Sequence, residues 1–323
     1  MKAQPLVSVV MINYNRERFV GAAIESVGGQ TARDWELIVV ENGSTDRSWE
    51  IIERWTAEDS RMRVIRLPSR LSIPVAANVG IKNARGQYVA RLDSDDVCLP
   101  SRLGMQLDWM EQGRHERVGI CGAQCELIDA GGEVIGEKWF PIRHAECVRA
   151  FWYRNPFCQS AVLIRQQCFA EFGLYDESFA VGEDLELWMR LAQRFELYNL
   201  PTVLVRERFW GQSVRMRQYR AMVDATLRAR RLAARRYGHR MGSLDRLAFG
   251  ATWCARWCPP QWARWFFYKI FLKLDRWTWA EGNSASAKGQ LNPPACAGGS
   301  VVATDESVCG SHKKLGAQSL LSK

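Results

Sequence analysis

From Leu6 to Leu92 the chain alternates short apolar, β-branched runs with segments of helical spacing, separated by brief polar turns. Leu6–Ile12, Trp35–Val40, Arg63–Leu67 and Tyr88–Leu92 read as strands. Arg16–Gly28, Ser48–Trp55 and Pro74–Ala84 read as the helices between them, the last opened by proline. Strands and helices in strict alternation, with connections this short, predict a doubly wound, mainly parallel sheet. In such sheets ligands bind beyond the carboxyl ends of the strands, where Asn13, Glu41, Asn42 and Asp93 fall.

The fourth strand runs straight into carboxylates: Gly86-Gln87-Tyr88-Val89-Ala90-Arg91-Leu92-Asp93-Ser94-Asp95-Asp96. Acids bunched at the end of a buried strand cost free energy unless a cation or ligand offsets them. Asp93 and Asp95 are two apart, so in an extended segment they project to one side and can share a hard divalent ion. The competing reading is a solvated turn that caps a helix starting near Pro100. The position of the cluster at the end of a sheet strand favours the metal.

Beyond residue 112 the pattern changes. Val118–Ile128 and Glu133–Trp139, joined through Ala130-Gly131-Gly132, read as a hairpin. Ala161–Ile164 is a short strand, His144–Tyr153 and Asp184–Arg194 are helices, and Leu197–Phe209 is extended. A second acidic pair, Glu183-Asp184, opens the later helix. Carboxylates favour helix N-termini, so capping is one reading. The other is a general base that takes the proton of an attacking hydroxyl. The chain lacks GxSxG, GxxxxGK[ST] and GxGxxG, and its four histidines form no cluster with the cysteines, so covalent nucleophilic catalysis has no support.

The formal charge of +9 is uneven. From Arg206 to Arg276 there are 17 Lys/Arg and 4 Asp/Glu, a local net of +13, so the remainder nets −4. This basic stretch interleaves Trp253, Trp257, Trp262, Trp265, Trp277 and Trp279 with arginine and lysine. Such composition suits an anionic membrane interface, where indoles settle at headgroup depth; packing on the catalytic domain or a dimer contact is the alternative. Nucleic acid is not expected, because no reading motif accompanies the charge. No uncharged apolar run reaches the length of a membrane-spanning helix. The ten cysteines are scattered with no signal peptide before the first strand, which predicts reduced thiols in the cytosol; the pairs Cys121/Cys125 and Cys254/Cys258 read as ordinary thiols rather than zinc ligands.

Several segments, in order, carry a resemblance. Val7–Arg16 (VSVVMINYNR), IESVGGQT over 24–31 and Val39-Val40-Glu41-Asn42-Gly43-Ser44-Thr45-Asp46 come first. Ala77-Asn78-Val79-Gly80, Asp93-Ser94-Asp95, Asn155-Pro156, Phe172-Gly173-Leu174-Tyr175-Asp176 and Gly182-Glu183-Asp184 follow. Together they resemble the family 2 glycosyltransferases of GT-A fold. The resemblance runs from about residue 6 to residue 214.

It implies an inverting sugar transfer from a nucleotide diphosphate sugar, UDP-type favoured. It also implies that Ile12 and Tyr14 line the nucleoside pocket, that Glu41 or Asn42 reads the base edge, and that Asn78 lies near the diphosphate. By the same resemblance Asp93 sits by ribose and metal, Asp95 binds Mg²⁺ or Mn²⁺, and Asp184 is the base with Glu183 beside it. The chain departs from the family pattern with Ile12 for proline, Asn42 for aspartate, and Gln159 and Trp210 where relatives often carry histidine. Arg206 or Arg208 could compensate by clamping the diphosphate.

The expectation is therefore an α/β, GT-A type mixed sheet with a helical, basic C-terminal extension. Its predicted parts are a catalytic domain over 1–213, with a nucleotide-sugar half at 1–112 and an acceptor half at 113–213. A Trp-rich extension over 214–280 and a disordered tail over 281–323 follow. The expected acceptor is a glycan or lipid-linked hydroxyl, in cell-surface polysaccharide or lipopolysaccharide synthesis, at the cytoplasmic face of the cell membrane. Alternatives are a non-catalytic nucleotide-sugar-binding assembly protein and a sugar nucleotidyltransferase, the latter lacking its Gly-rich phosphate loop here.

Overall fold

A computed structural model of the chain describes residues 4–210 and 218–257. The expected tail at 281–323, and residues 258–280 of the expected extension, lie outside the described residues.

The strands are β1 (Val7–Asn13), β2 (Trp35–Glu41), β3 (Met62–Arg66), β4 (Tyr88–Asp93), β5 (Val97–Cys98), β6 (Val118–Ile128), β7 (Val134–Lys138), β8 (Leu163–Arg165) and β9 (Glu196–Arg208). The helices are α1 (Val20–Gly28), α2 (Ser48–Glu58), α3 (Ile73–Lys82), α4 (Arg102–Met110), α5 (His144–Ala150), α6 (Gln166–Phe172), α7 (Glu183–Leu191), α8 (Tyr219–Arg236) and α9 (Ser243–Ala255). The strands form one sheet in the order β3-β2-β1-β4-β8-β6-β9-β5, with β7 hairpinned onto β6. Pairing is parallel from β3 to β4, and antiparallel where β8 joins β4 and β6.

β1 and β2 are buried on both faces, which is why they read as unbroken apolar runs rather than alternating ones. α1 packs one face of this part of the sheet and α3 the other, through Ile24 and Val27 in one cluster and Ala77 and Ile81 in the second. Gly80 allows the approach of α3: a Cβ there would meet Val10 Cγ1 at 2.5 Å. At the amino ends of the strands, buried Glu36 accepts from Ser8 Oγ at 2.7 Å, Arg85 Nη2 at 2.7 Å and Arg63 Nε at 3.1 Å. Burial alone would raise its pKa, but the bonds from Arg85, Ser8 and Arg63 outweigh it and hold the carboxyl below its ordinary value.

Three local differences from the sequence reading have identifiable causes. α1 begins at Val20, not Arg16, because Asn15 adopts φ 52° and the Arg16 N–H bonds Ser48 Oγ at 2.9 Å, making a turn of residues that pattern as helix. The strand expected at Ala161 begins at Leu163, since Gln159–Ala161 closes a 3-10 turn. α6 and the two-residue β5 are too short to leave a periodic signal. After β9, α8 lies on α7: Tyr237 hydroxyl donates to Glu186, and His239 Nε2 meets Met189 O at 2.8 Å.

Candidate active site

The carboxyl ends of β1, β2 and β4 meet in register, with Ile12 opposite Asp93 and Asn13 opposite Glu41. Asp93 stands at this edge with 46% of its side chain exposed and its Oδ1 3.4 Å from Arg91 Nη2. Arg91 is fully buried beneath it, spends Nη1 on Val10 O at 2.7 Å, and keeps Nε without a partner. The Asp93 carboxyl is pushed up to about 6: burial raises it most, Arg91 opposes, and the charges of Asp95, Glu207 and Asp184 add to the rise.

Asp95 is gripped on one oxygen. Its Oδ2 accepts from Arg16 Nε at 3.0 Å and from Trp210 indole Nε1 at 3.0 Å. Oδ1 accepts no hydrogen bond from the described residues. The Trp210 ring is held edge-on to Phe19 at 5.0 Å and lies 4.9 Å from the Arg16 guanidinium. Trp210, which the sequence marks only as a departure, is thus a donor to one of the expected metal ligands. Asp96 is engaged on both carboxylate oxygens. It is buried, accepting from Ser160 hydroxyl and from Arg208 N at 2.7 Å, and so ties the acid turn to the end of β9.

The second acid pair opens α7 after Gly182, whose φ of 70° turns the chain into the helix. Glu183 is buried and pushed up to about 8, chiefly by burial and then by the charge of Asp184, with Asp93 adding to it. Asp184 is half-buried; Asn155 Nδ2 donates to its Oδ2 at 2.6 Å and Leu185 N to its Oδ1 at 2.7 Å. The fields of Asp184 on Asp93 and of Asp93 on Glu183 place the two acid pairs in one electrostatic cluster, although they lie about ninety residues apart in the sequence.

Other expected site residues take structural positions. The Asn42 amide pairs with the Leu71 backbone, donating to Leu71 O at 3.0 Å and accepting from Leu71 N at 2.8 Å. Glu41 accepts from Asn13 Nδ2 at 2.7 Å and from the Ser44 N–H and hydroxyl, which fixes the turn after β2. Both side chains are buried and held by these bonds at the carboxyl end of β2.

Asn78 donates to Tyr175 O and Glu177 Oε1 and accepts from Tyr175 N, each at 3.0 Å, so its amide brackets the loop at 175–177. Arg208 donates from Nε to the Asp95 carbonyl at 2.9 Å and from Nη1 to the Asp129 carbonyl at 2.8 Å. Arg206 pairs with Glu126 at 2.8 Å. Ile12 is partly buried at the sheet edge, and the half-exposed Tyr14 ring stacks under Arg70 at 4.3 Å. Gln159 donates to Tyr175 hydroxyl at 3.0 Å and leaves its own Oε1 buried without a partner.

Sequence reasoning missed Arg16, Arg91 and Ser160. Arg91 had a signal: a charged residue inside an otherwise apolar strand. The other two had none, because their partners are 79 and 64 residues away.

Among the described residues no three His, Cys, Asp or Glu side chains form a closed cation cage. The donor set at the edge still suits a hard divalent ion: Asp93 is half-open, Asp95 has one oxygen unspent, and the charges of Asp95, Glu207 and Asp184 add to the rise of the Asp93 carboxyl. Magnesium and manganese are commonly held this way, by one or two carboxylates with the remaining positions left to phosphate and water.

The family model described as Glycosyl transferase family 2 matches residues 8–158. The O-antigen biosynthesis glycosyltransferase WbnJ of Escherichia coli is 30% identical over 190 residues, covering 58% of this chain and 71% of its own. The chain belongs to glycosyltransferase family 2.

Solved structures agree on the fold. Staphylococcus aureus TarS 1-349 in complex with UDP-GlcNAc superposes with a TM-score of 0.58 at 19% identity, covering 71% of this chain and 65% of that one. The chain thus spans just under two thirds of that 1-349 chain, and 46% of the longer TarS chain. The mannosyltransferase PcManGT from Pyrobaculum calidifontis, in complex with GDP-Man and Mn²⁺, gives a TM-score of 0.56 at 15% identity, covering 81% and 72%. The sheet is therefore a GT-A type mixed α/β fold, as the sequence predicts.

Proposed function

We propose that this chain transfers a sugar, with inversion, from a nucleoside diphosphate sugar to a hydroxyl of a glycan or lipid-linked acceptor in cell-surface polysaccharide synthesis. The observation that carries the reading is the union of Asp93 and Asp95 with Glu183 and Asp184 in one electrostatic cluster at the carboxyl edge of the sheet. The polysaccharide setting is supported by the name of WbnJ, and the donor class by the UDP-GlcNAc and GDP-Man complexes of the structural neighbours. UDP is the favoured nucleotide.

Asp93 and Asp95 would hold Mg²⁺ or Mn²⁺, which supplies positive charge against the departing diphosphate. Asp184, oriented by Asn155 and the Leu185 N–H, would accept the proton of the attacking hydroxyl. Glu183, buried and pushed up to about 8, stays largely protonated at neutral pH, so it adds little negative charge beside that base. Tyr14 under Arg70 offers a flat wall for a nucleobase. Residues 1–213 would form the catalytic unit, split near residue 112 into donor and acceptor halves, and 214–280 would place it on the inner membrane face.

The test is a thermal-shift panel of nucleotide sugars with and without Mn²⁺, followed by nucleoside diphosphate release on the stabilising donor. Asp184→Asn should lower release by about 10²–10⁴-fold while donor binding changes less than about threefold. Release at the wild-type rate from this variant removes Asp184 from the mechanism, and the absence of any stabilising nucleotide sugar removes the donor class.

A further inference from the structure

Helix α9 has one face tied down and one face bare. On the tied face, Arg230 of α8 donates to Thr252 Oγ1 at 2.7 Å and Arg256 pairs with Asp224 at 3.0 Å. The Arg231 guanidinium of α8 also lies 5.7 Å from the Phe249 ring. On the bare face, Leu244 is 79% exposed and Leu247 70%; at the end of the helix Trp253 is 47% and Trp257 72% exposed. Leu244, Leu247, Ala251 and Cys254 recur at spacings of three and four, so they form a single stripe, and each is exposed. The anchors to α8 prevent the helix from rolling to bury that stripe.

The charge around the stripe is predominantly positive. Between Tyr219 and Trp257 there are nine arginines and two aspartates, and Arg235, Arg236, Arg240 and Arg246 are exposed. An apolar strip rimmed by cations needs a partner with an apolar phase and an anionic surface, and a bilayer of acidic lipid supplies both. A nucleic acid would satisfy the arginines but leave the two leucines in water.

We propose that the outer face of α9 docks on an anionic lipid bilayer, with Leu244 and Leu247 at the acyl boundary and the arginines at the headgroups. This rests on the membrane placement proposed above but not on sugar transfer, so the two are tested apart.

The experiment is co-sedimentation of the full chain with phosphatidylcholine vesicles, with and without phosphatidylglycerol, in the absence of donor. Wild type should partition onto the phosphatidylglycerol vesicles and be released as salt rises. The double substitution Leu244→Ser/Leu247→Ser should weaken partitioning about tenfold, and Arg240→Gln/Arg246→Gln by a similar factor. Val134→Ser, an exposed apolar control on β7, should change nothing. All four positions are exposed, so thermal melts should match wild type.

Three results overturn the proposal. If wild type ignores acidic vesicles, membrane placement falls with it, while glycosyl transfer stands untouched. If wild type binds but both double variants bind equally well, another part of the chain makes the contact. If the leucine variant instead turns a dimer into a monomer by light scattering, with vesicle binding unchanged, the face is a subunit interface.

Discussion

The two ends of one sheet treat buried carboxylates in opposite ways. At the amino ends of β1 and β2, Glu36 is matched by Ser8, Arg63 and Arg85, and its pKa falls despite burial. At the carboxyl ends, Asp93 and Glu183 sit among further carboxylates with Arg91 as a partial offset, and their pKa values rise to about 6 and about 8. Opposite electrostatics, more than burial, separate scaffold from site: Glu36 is 2% exposed and Asp93 46%. A carboxylate that the protein has already neutralised holds the fold together, whereas one left in excess negative field is poised for a cation or a proton that arrives with substrate.

The sharpest way to break this comparison is to remove an acid from each end. Asp95→Ala should lower nucleoside diphosphate release by at least ~100-fold with little loss of fold, because Asp95 contributes to the site and not to the core. Glu36→Ala should do the reverse. It orphans Ser8 and two arginines, and because those arginines are partly exposed the loss is about 2 kcal/mol in urea unfolding, with kcat of the surviving folded enzyme near wild type. Equal effects on stability from both substitutions would erase the distinction.

The pH dependence should split in the same way. Glu183 is raised in the fold, so between about 4.5 and about 8 the folded chain holds more protons than the unfolded one. Its contribution to stability is greatest below the unfolded value and falls as pH rises, at up to ~1.4 kcal/mol per unit. Glu36 is depressed, so its contribution is present above the unfolded value of 4.5 and is lost as pH falls through the folded one. Urea midpoints in metal-free buffer should therefore drop from pH 5 to pH 8 in wild type and flatten in Glu183→Gln. An unchanged slope in that variant would place the titration elsewhere. The smallest effect is expected from Trp210→Phe, which keeps the packing on Phe19 but deletes the indole bond to Asp95. Calorimetry should show donor binding with Mn²⁺ weakened about three- to tenfold; no change would make Trp210 a packing residue alone.

Much of the fold was legible because its signals are local. The β-branched runs, the opening proline of α3 and the Ala130-Gly131-Gly132 turn between β6 and β7 each announce an element within a dozen residues. Arg16 misled the helix boundary because its turn is fixed by Ser48, a partner on another element. The acids were visible in the sequence, whereas the partners of the amides were not. Asn42, Asn78 and Arg208 each bond the backbone of a segment distant in the sequence.

The sequence by itself determined that this chain builds alternating units with acids at strand ends and a basic, tryptophan-rich stretch after them, since hydrophobic period and charge are properties of short windows. Only the tertiary structure decided which polar groups remain free. It set Trp210 and Arg16 on one oxygen of Asp95, buried Arg91 under Asp93, and joined the Asp93 and Asp184 clusters. It also left the outer face of α9 bare while tying down the inner one. The physical reason is that a hydrogen bond or an electrostatic field acts over a few ångströms in space, between residues that the chain separates by tens of positions.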